Sequence, residues 1–552
     1  MARSRFRLPH WRSVLVYTHR WLGIAGCVVF ITWFVSGVVM IYARMPTLAN
    51  EERLARADAL DVSRVTVTPA DAARLVKASS ARLRIGMLDG RPVYRFGAAG
   101  PRAGSTVVFA DRPEVLTGVD RDAAREAARR FAPGYAGTIE DDGYLTTPDQ
   151  WTLQARAQMP MFRFALDDTA ATRIYVSERT GDVVLRTTGR ERFWAYLGPV
   201  LHWIYFTPLR RHGDLWSEVV IWSSIAGCLL CVSGLVWGLM RFSPRRRYRL
   251  RRASAQSPYD GMMKWHHYAG LIFGVITLTW IFSGLLSMGP WSFLSGPDVS
   301  RVQRAAAGAP PDLERVTLDR LRAAVDVLSR ELAPKELELV AVRGEMYWLA
   351  WRAPSPDAVG PWMDAGLLPR APRPVLEHRY VQADAPERGT FTRFDEDTLH
   401  AVAAEAMPGV AVERIDWLTS HDPYYYDSRG TRPLPVLRVR YADASNTWLY
   451  LDPTRGGVAL ANDRVTRTRR WLYQGLHSLD FPGLYAKRPL WDVVVIALSL
   501  GGLALGITSL APAHRRLRRH AKTRALAWSV RARRQPEERR ERVSAEATKS
   551  ET

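Results

Sequence analysis

Cysteine is nearly absent from this 552-residue chain: there are three, Cys27, Cys228 and Cys231, all inside apolar runs. The long charged segments between those runs have none, so no disulfide framework holds them. Cys228-Leu-Leu-Cys231 has C-x-x-C spacing. A dry stretch between Ile225 and Val232 is nevertheless a poor place for zinc or thiol exchange, and the pair reads as small residues packing between helices. Other signatures are missing as well. The chain has no H-E-x-x-H, no paired C-x-x-C, no serine-nucleophile elbow, and no G-x-G-x-x-G between a strand and a helix. These absences argue against a zinc protease, a serine hydrolase and a built-in nicotinamide or flavin domain. Electrons for any redox chemistry would have to come from a partner or from a membrane or cytosolic donor.

Charge is missing over four stretches: Trp21–Tyr42, Val219–Met240, Trp265–Pro297 and Val493–Ala513. About 20 apolar residues cross a bilayer core, so four transmembrane helices are expected. The first run is too long for the core of a cleaved signal peptide. Its near-copy at 265–284 cannot be cleaved, so it is read as the first helix. The chain carries a net charge of +22, and residues 1–12, 241–264 and 512–552 hold +19 of it. Basic residues beside membrane helices stay in the cytoplasm. The charge therefore reads as topology and not as a nucleic-acid surface. Both termini and the 241–264 loop are expected inside, and the two long segments outside.

What is present is a repeat. His19 stands just before the first apolar run and His266 at the start of the third. From each histidine, a glycine (Gly23, Gly270), Thr-Trp and Ser-Gly follow at the same spacings, ending at Ser36-Gly37 and Ser283-Gly284. A second pair, His202 and His477, lies in the aromatic segments 193–208 and 470–482, which are too short to span. A tryptophan follows each at the same interval, Trp216 after His202 and Trp491 after His477. Each half thus reads as an outward helix, an exported domain, an interfacial histidine and an inward helix. Two halves of like orientation imply a pseudo-two-fold axis along the membrane normal. His19 and His266 would lie toward the cytoplasmic face, and His202 and His477 toward the outer face.

The expected divisions are 1–43 (N-terminus and first membrane helix), 44–190 (first exported domain) and 191–240 (interfacial helix and second membrane helix). Next come the basic loop 241–264, the third membrane helix 265–291 and the second exported domain 292–468. The interfacial and fourth membrane helices at 469–513 and a basic tail at 514–552 complete the chain. The fold class is a membrane four-helix bundle built from two parallel repeats, with two exported α+β domains. Within those domains, helices are predicted after Thr68 and at 121–131, 318–332 and 396–406, with antiparallel strands beside them. Asp89-Gly90 is a strong hairpin signal.

Paired imidazoles in an apolar bundle suit axial ligation of haem iron. A lone histidine on an apolar face is usually structural, but an ionisable residue in a membrane span marks function, and recurrence in register strengthens that reading. Two haems are expected, with His19, His202, His266 and His477 as ligands. His267 competes with His266, although alignment with His19 favours His266. Arg20, Arg192 and Arg470 are candidate partners for haem propionates.

Several motifs resemble the PepSY-associated transmembrane (PiuB-like, iron-regulated) family. They are His19-Arg-Trp-Leu-Gly23, Trp265-His-His-Tyr-Ala-Gly-Leu-Ile-Phe-Gly274, Tyr424-Tyr-Tyr-Asp427, the stretch from Arg469 to Phe481, and Arg488-Pro-Leu-Trp491. The resemblance implies four helices, two exported PepSY-like domains and the bacterial inner membrane. Some members resemble di-haem ferric-siderophore reductases, which implies haem b at the same four histidines and reduction of a periplasmic ferric chelate. The implied partners are a ferric siderophore or other ferric chelate, membrane lipid and an electron donor, with no nucleic acid. Tyr424–Tyr426 would wall the chelate pocket, or else pack as core. The alternative is a non-redox, membrane-anchored binding or regulatory module. Transport ranks below both, because intramembrane carboxylates and broken helices are lacking.

Overall fold

The computed structural model describes residues 11–78, 82–97, 104–245, 248–249, 254–291, 296, 299–352, 376–426 and 432–549. Arg3, Arg5, Arg7, the basic residues at 246–247 and 250–252, and Asp427 lie outside them. Two compact units form, Met1–Val35 with Ile221–Leu285 and Val493–Thr552, and Ser36–Val220 with Leu286–Asp492.

The first unit is helical. The described residues contain four helices long and apolar enough to cross a membrane. They are α1 (Trp11–Tyr42), α5 (Gly213–Arg241), α6 (Met262–Ser287) and α10 (Leu490–Lys549), numbered with the helices of the second unit. The basic tail expected after residue 513 continues α10 as one helix, of which Leu490–Ala525 is the candidate span. Small residues let the helices approach closely. Gly227 lies against Phe30, Gly274 against Leu235, Gly501 against Phe273 and Gly502 against Phe34. Contacts therefore run round the bundle from α1 to α5, α6, α10 and back. Outward-facing apolar residues such as Trp222 and Ile272, 64% and 68% exposed, form the surface that lipid would cover.

The second unit is built from strands. In the first half, α2 (Pro69–Val76) starts at the Thr68 cap, whose hydroxyl accepts the Asp71 N–H. Strands β1 (Leu83–Leu88), β2 (Arg91–Gly97), β3 (Ser105–Phe109) and β4 (Glu114–Val115) follow. Asp89-Gly90 joins β1 to β2 with φ of 51° and 67°, the left-handed pair a tight hairpin requires. Next come α3 (Arg121–Phe131), capped by Asp120, and a four-stranded sheet of β5 (Ile139–Leu145), β6 (Met161–Leu166), β7 (Arg173–Ser177) and β8 (Val183–Thr187). The short α4 (Gly189–Ala195) then leads toward the membrane helix α5.

The second half runs through the same order. It has α7 (Leu318–Ser329), β9 (Pro334–Val342), β10 (Glu345–Arg352), β11 (His378–Gln382), β12 (Thr390–Phe391) and α8 (Glu396–Ala406). A second four-stranded sheet follows, of β13 (Val412–Leu418), β14 (Val436–Tyr441), β15 (Trp448–Asp452) and β16 (Gly457–Asn462). The half closes with α9 (Arg464–Arg470) before α10. Arg343-Gly344, with φ of 52° and 79°, repeats the Asp89-Gly90 turn.

The halves are not separate at their centre. Strands β1 and β9 pair antiparallel, with Ile85 opposite Leu337 and Gly86 opposite Glu336. The result is one eight-stranded sheet in the order β12-β11-β10-β9-β1-β2-β3-β4. The boundary drawn between segments 44–190 and 292–468 cuts this sheet at that pairing. Beneath it one continuous core takes Ile85 and Tyr94 from one half and Leu321, Leu337 and Trp348 from the other. At the seam Glu336 is held by Arg53 at 2.8 Å and Arg84 at 3.0 Å. Burial alone would push this carboxyl up, but the two guanidiniums outweigh it and hold it down at about 2.

Candidate functional site

In the helical unit the rings of His19 and His266 lie with centroids 6.2 Å apart, tilted by 42°. Each turns Nδ1 toward a backbone carbonyl of the next membrane helix. His19 Nδ1 is 3.1 Å from the Leu230 oxygen, and His266 Nδ1 is 3.2 Å from the Leu505 oxygen. A carbonyl only accepts, so each Nδ1 carries the proton and Nε2 is the lone-pair nitrogen. Leu230 follows His202 at the same interval as Leu505 follows His477. The close approach needs glycine: a Cβ at Gly234 would lie 2.5 Å from His19 Cε1.

His267 points elsewhere. Its Nδ1 is 2.8 Å from the Ser257 hydroxyl and its Nε2 2.8 Å from the Gly238 carbonyl. Both nitrogens are engaged and the residue is buried, so His267 ties residue 257 to α5. Of the two neighbours, His266 is the one with a nitrogen to offer.

In the second unit His202 and His477 are delivered by matching local structures. Thr188 caps α4 with Glu191 in a reciprocal capping box, and Asp463 caps α9 with Thr466. Each helix then widens into one π-helical turn, Tyr196–Val200 and Trp471–Gly475. Such turns recur at functional sites, and Pro199, which lacks an N–H, disrupts the α pattern in the first. The step from cap to histidine, Thr188 to His202 and Asp463 to His477, is the same length in both halves. The chain then breaks at Ile204 and Leu479, with φ of 52° and 53°. The interfacial helices expected at 193–208 and 470–482 are therefore helical through each histidine and end at a left-handed residue. The two rings lie with centroids 6.1 Å apart, inclined by 71°. Ser36 Oγ is 3.1 Å from His202 Nδ1. Tyr473 stacks on His477 with centroids 5.3 Å apart.

The three candidate arginines differ. Arg20 lies 5.5 Å from the Tyr17 ring centre. Arg192 donates to Thr187 and Ala171 within its own unit. Arg470 is buried. Its Nε donates to the Pro423 carbonyl at 2.7 Å, its Nη2 to the Asp480 carbonyl, and its plane covers Tyr426 and Trp471 at 4.3 and 4.4 Å. Its Nη1 and the Gln474 Oε1 one turn on are buried without a hydrogen-bond partner among the described residues. A buried guanidinium donor that the described residues leave open, on the segment that carries His477, suits an anionic group such as a carboxylate. Tyr424–Tyr426 pack inward: Tyr425 is fully buried against Tyr450, and Tyr426 donates to Asp480 at 3.2 Å.

Two imidazoles bound by nitrogen to opposite sides of one metal atom, about 2 Å away each, have ring centres roughly 6 Å apart. Both pairs meet that spacing. Among the described residues no group of three or more His, Cys, Asp or Glu converges.

The family described as PepSY-associated TM region matches residues 16–511. The chain belongs to the PepSY-associated transmembrane family. The match takes in all four histidines. No curated protein matches the chain. As a PepSY-associated protein with four apolar helices, this is a multi-pass membrane protein.

The carbonyls of Leu230 and Leu505 and the close-packed Gly234 escape sequence reading, because a backbone acceptor leaves no side-chain signature. Their equal spacing from His202 and His477 is the signal that could have found the two carbonyls.

Proposed function

We propose that this protein is a b-type di-haem reductase of the bacterial inner membrane. In this reading it passes electrons from a donor to a periplasmic ferric chelate, a ferric siderophore or a relative of one. The observation that carries the reading is the spacing of two separate histidine pairs, 6.2 and 6.1 Å between ring centres, at which each pair would be able to hold one haem iron between its imidazoles. Haem held there supplies reversible one-electron iron chemistry.

The chain's own residues do the rest. The Leu230 and Leu505 carbonyls hold the tautomer that leaves Nε2 of His19 and His266 as the ligand, as outer partners of metal-bound histidines do. Gly234 lets the His19 ring sit against α5. Arg470 offers Nη1 to a propionate. One electron taken from the donor turns ferric iron in the chelate to ferrous iron. Hard oxygen ligands hold the ferrous ion less tightly, and iron is released. The basic segments support cytoplasmic termini. The like order of elements in the two halves supports two parallel repeats, each with PepSY-like modules on the periplasmic side.

The test is the absorption spectrum of the detergent-purified protein before and after dithionite, with haem counted per chain. A sharp reduced b-type spectrum at close to two haems per chain is expected. A protein that stays colourless when haem is supplied during expression overturns the reading and leaves the non-redox, membrane-anchored binding module.

A further inference from the structure

The segments that carry His202 and His477 end abruptly. The residue two positions after each histidine is left-handed, so the helical ladder stops there and carbonyls at its end need other donors. In both halves one of those carbonyls, on the residue directly after the histidine, is taken by a tryptophan. Trp216 Nε1 donates to the Trp203 oxygen at 2.9 Å, and Trp491 Nε1 donates to the Ser478 oxygen at 2.9 Å. Each tryptophan follows its histidine at the same interval and stands in the first turn of the membrane helix that comes next. An arginine lies over each indole, Arg210 at 4.6 Å and Arg488 at 4.8 Å. Indole is a donor only, so this nitrogen has one use, and the stacked guanidinium holds the ring in the orientation that serves it.

We infer that Trp216 and Trp491 are positioning residues, which clamp the His202 and His477 turns through the carbonyl next to each ligand and fix the pitch of the imidazoles. The inference rests on His202 and His477 ligating haem. Side-chain apolar packing would be kept by phenylalanine, while the clamp needs the N–H. Outer partners of metal ligands typically change metal affinity about 10- to 100-fold when removed.

The experiment compares Trp216→Phe and Trp491→Phe with wild type in the full chain, with Trp222→Phe as control. Trp222 faces outward on α5, 64% exposed. Haem per chain, reduction potentials and carbon monoxide binding to the reduced protein are measured. Six-coordinate haem excludes carbon monoxide until an axial ligand lets go, so this readout follows ligand release and not general stability. The expected result is two haems per chain, with carbon monoxide binding to one of them accelerated about 10-fold, a shifted potential for that haem alone, and no change in the control. Rescue by Trp491→Gln, which restores an N–H donor, is also expected.

Unchanged binding and potentials in both variants, with two haems present, overturn the clamp and leave the di-haem reading intact. A wild type without haem overturns both. Should the variants fail to fold, deuterium exchange of the two indole N–H groups in wild-type protein decides. Slow exchange is expected, and exchange as fast as that of a surface indole overturns the clamp.

Discussion

His19 Nδ1 lies 3.1 Å from the backbone oxygen of Leu230, and a Cβ at Gly234, one helical turn further on, would lie 2.5 Å from the same ring. The imidazole is held by a hydrogen bond on one side and by a missing side chain on the other. Gly234→Ala cannot keep both. The ring must move, and haem per chain is expected to fall from two toward one, measured by pyridine haemochrome against protein mass. An unchanged count and spectrum would mean that α5 shifts instead and that the ring position is not set by this contact.

Adjacent histidines should separate cleanly. His266→Ala is expected to remove one haem while the protein still folds. His267→Ala leaves the Gly238 carbonyl and the Ser257 hydroxyl without their buried partner, which costs about 1–3 kcal/mol of stability. It should keep both haems. Haem counts and thermal denaturation on the two variants decide. Loss of haem in the second with retention in the first would exchange their roles.

The four histidines need a control from the same chain. His400 sits on α8, 3.5 Å from Glu396 and exposed. His477→Ala should lose one haem and His400→Ala none. The quadruple alanine variant of His19, His202, His266 and His477 should be colourless. Haem retained in that variant would return all four to packing.

Glu336 at the β1–β9 seam sets a pH dependence. Its carboxyl titrates at about 2 in the folded protein against 4.5 when free, so the folded state favours the charged form. That stability is fully present above about 4.5 and is lost as pH falls from there toward 2. Glu336→Gln leaves Arg53 and Arg84 without their counter-charge, and a cost of about 3–5 kcal/mol is expected. Denaturation midpoints across this acid range, for wild type and variant, check it. The variant should be destabilised at neutral pH and should lack the wild type's loss on acidification.

Arg470 tests the electrostatics of the His202/His477 pair. A buried positive charge favours the reduced form of a nearby iron, so Arg470→Gln should lower the reduction potential of one haem and leave the other in place. Potentiometric titration reads both. If neither potential moves, Arg470 serves only to join Pro423 and Asp480.

Much of this was legible beforehand, and the reasons differ by element. Membrane helices announce themselves by uncharged length. The Asp89-Gly90 hairpin and the helices at 121–131 and 396–406 carry their own turn and cap chemistry, and they form where expected. The histidine pairs were legible because a repeat turns four isolated residues into two aligned ones. The pairing of β1 with β9 was not, because its partners lie in opposite halves of the chain and neither strand's composition names the other. Nor was the use of His267. What an imidazole can do depends on what faces each nitrogen, and at His267 those groups are Ser257 and a main-chain oxygen on another helix.

The shared eight-stranded sheet constrains how the two halves can live. Either half alone would end at the seam in a bare strand, β1 or β9, with its ladder groups open and, in the second, Glu336 stripped of both cations. Exposed edges of this kind recruit other chains. During synthesis the first half must therefore wait, with that edge unguarded, until two membrane helices and the start of the second half have been made. A ribosome stalled in between would release an adhesive fragment rather than half a machine.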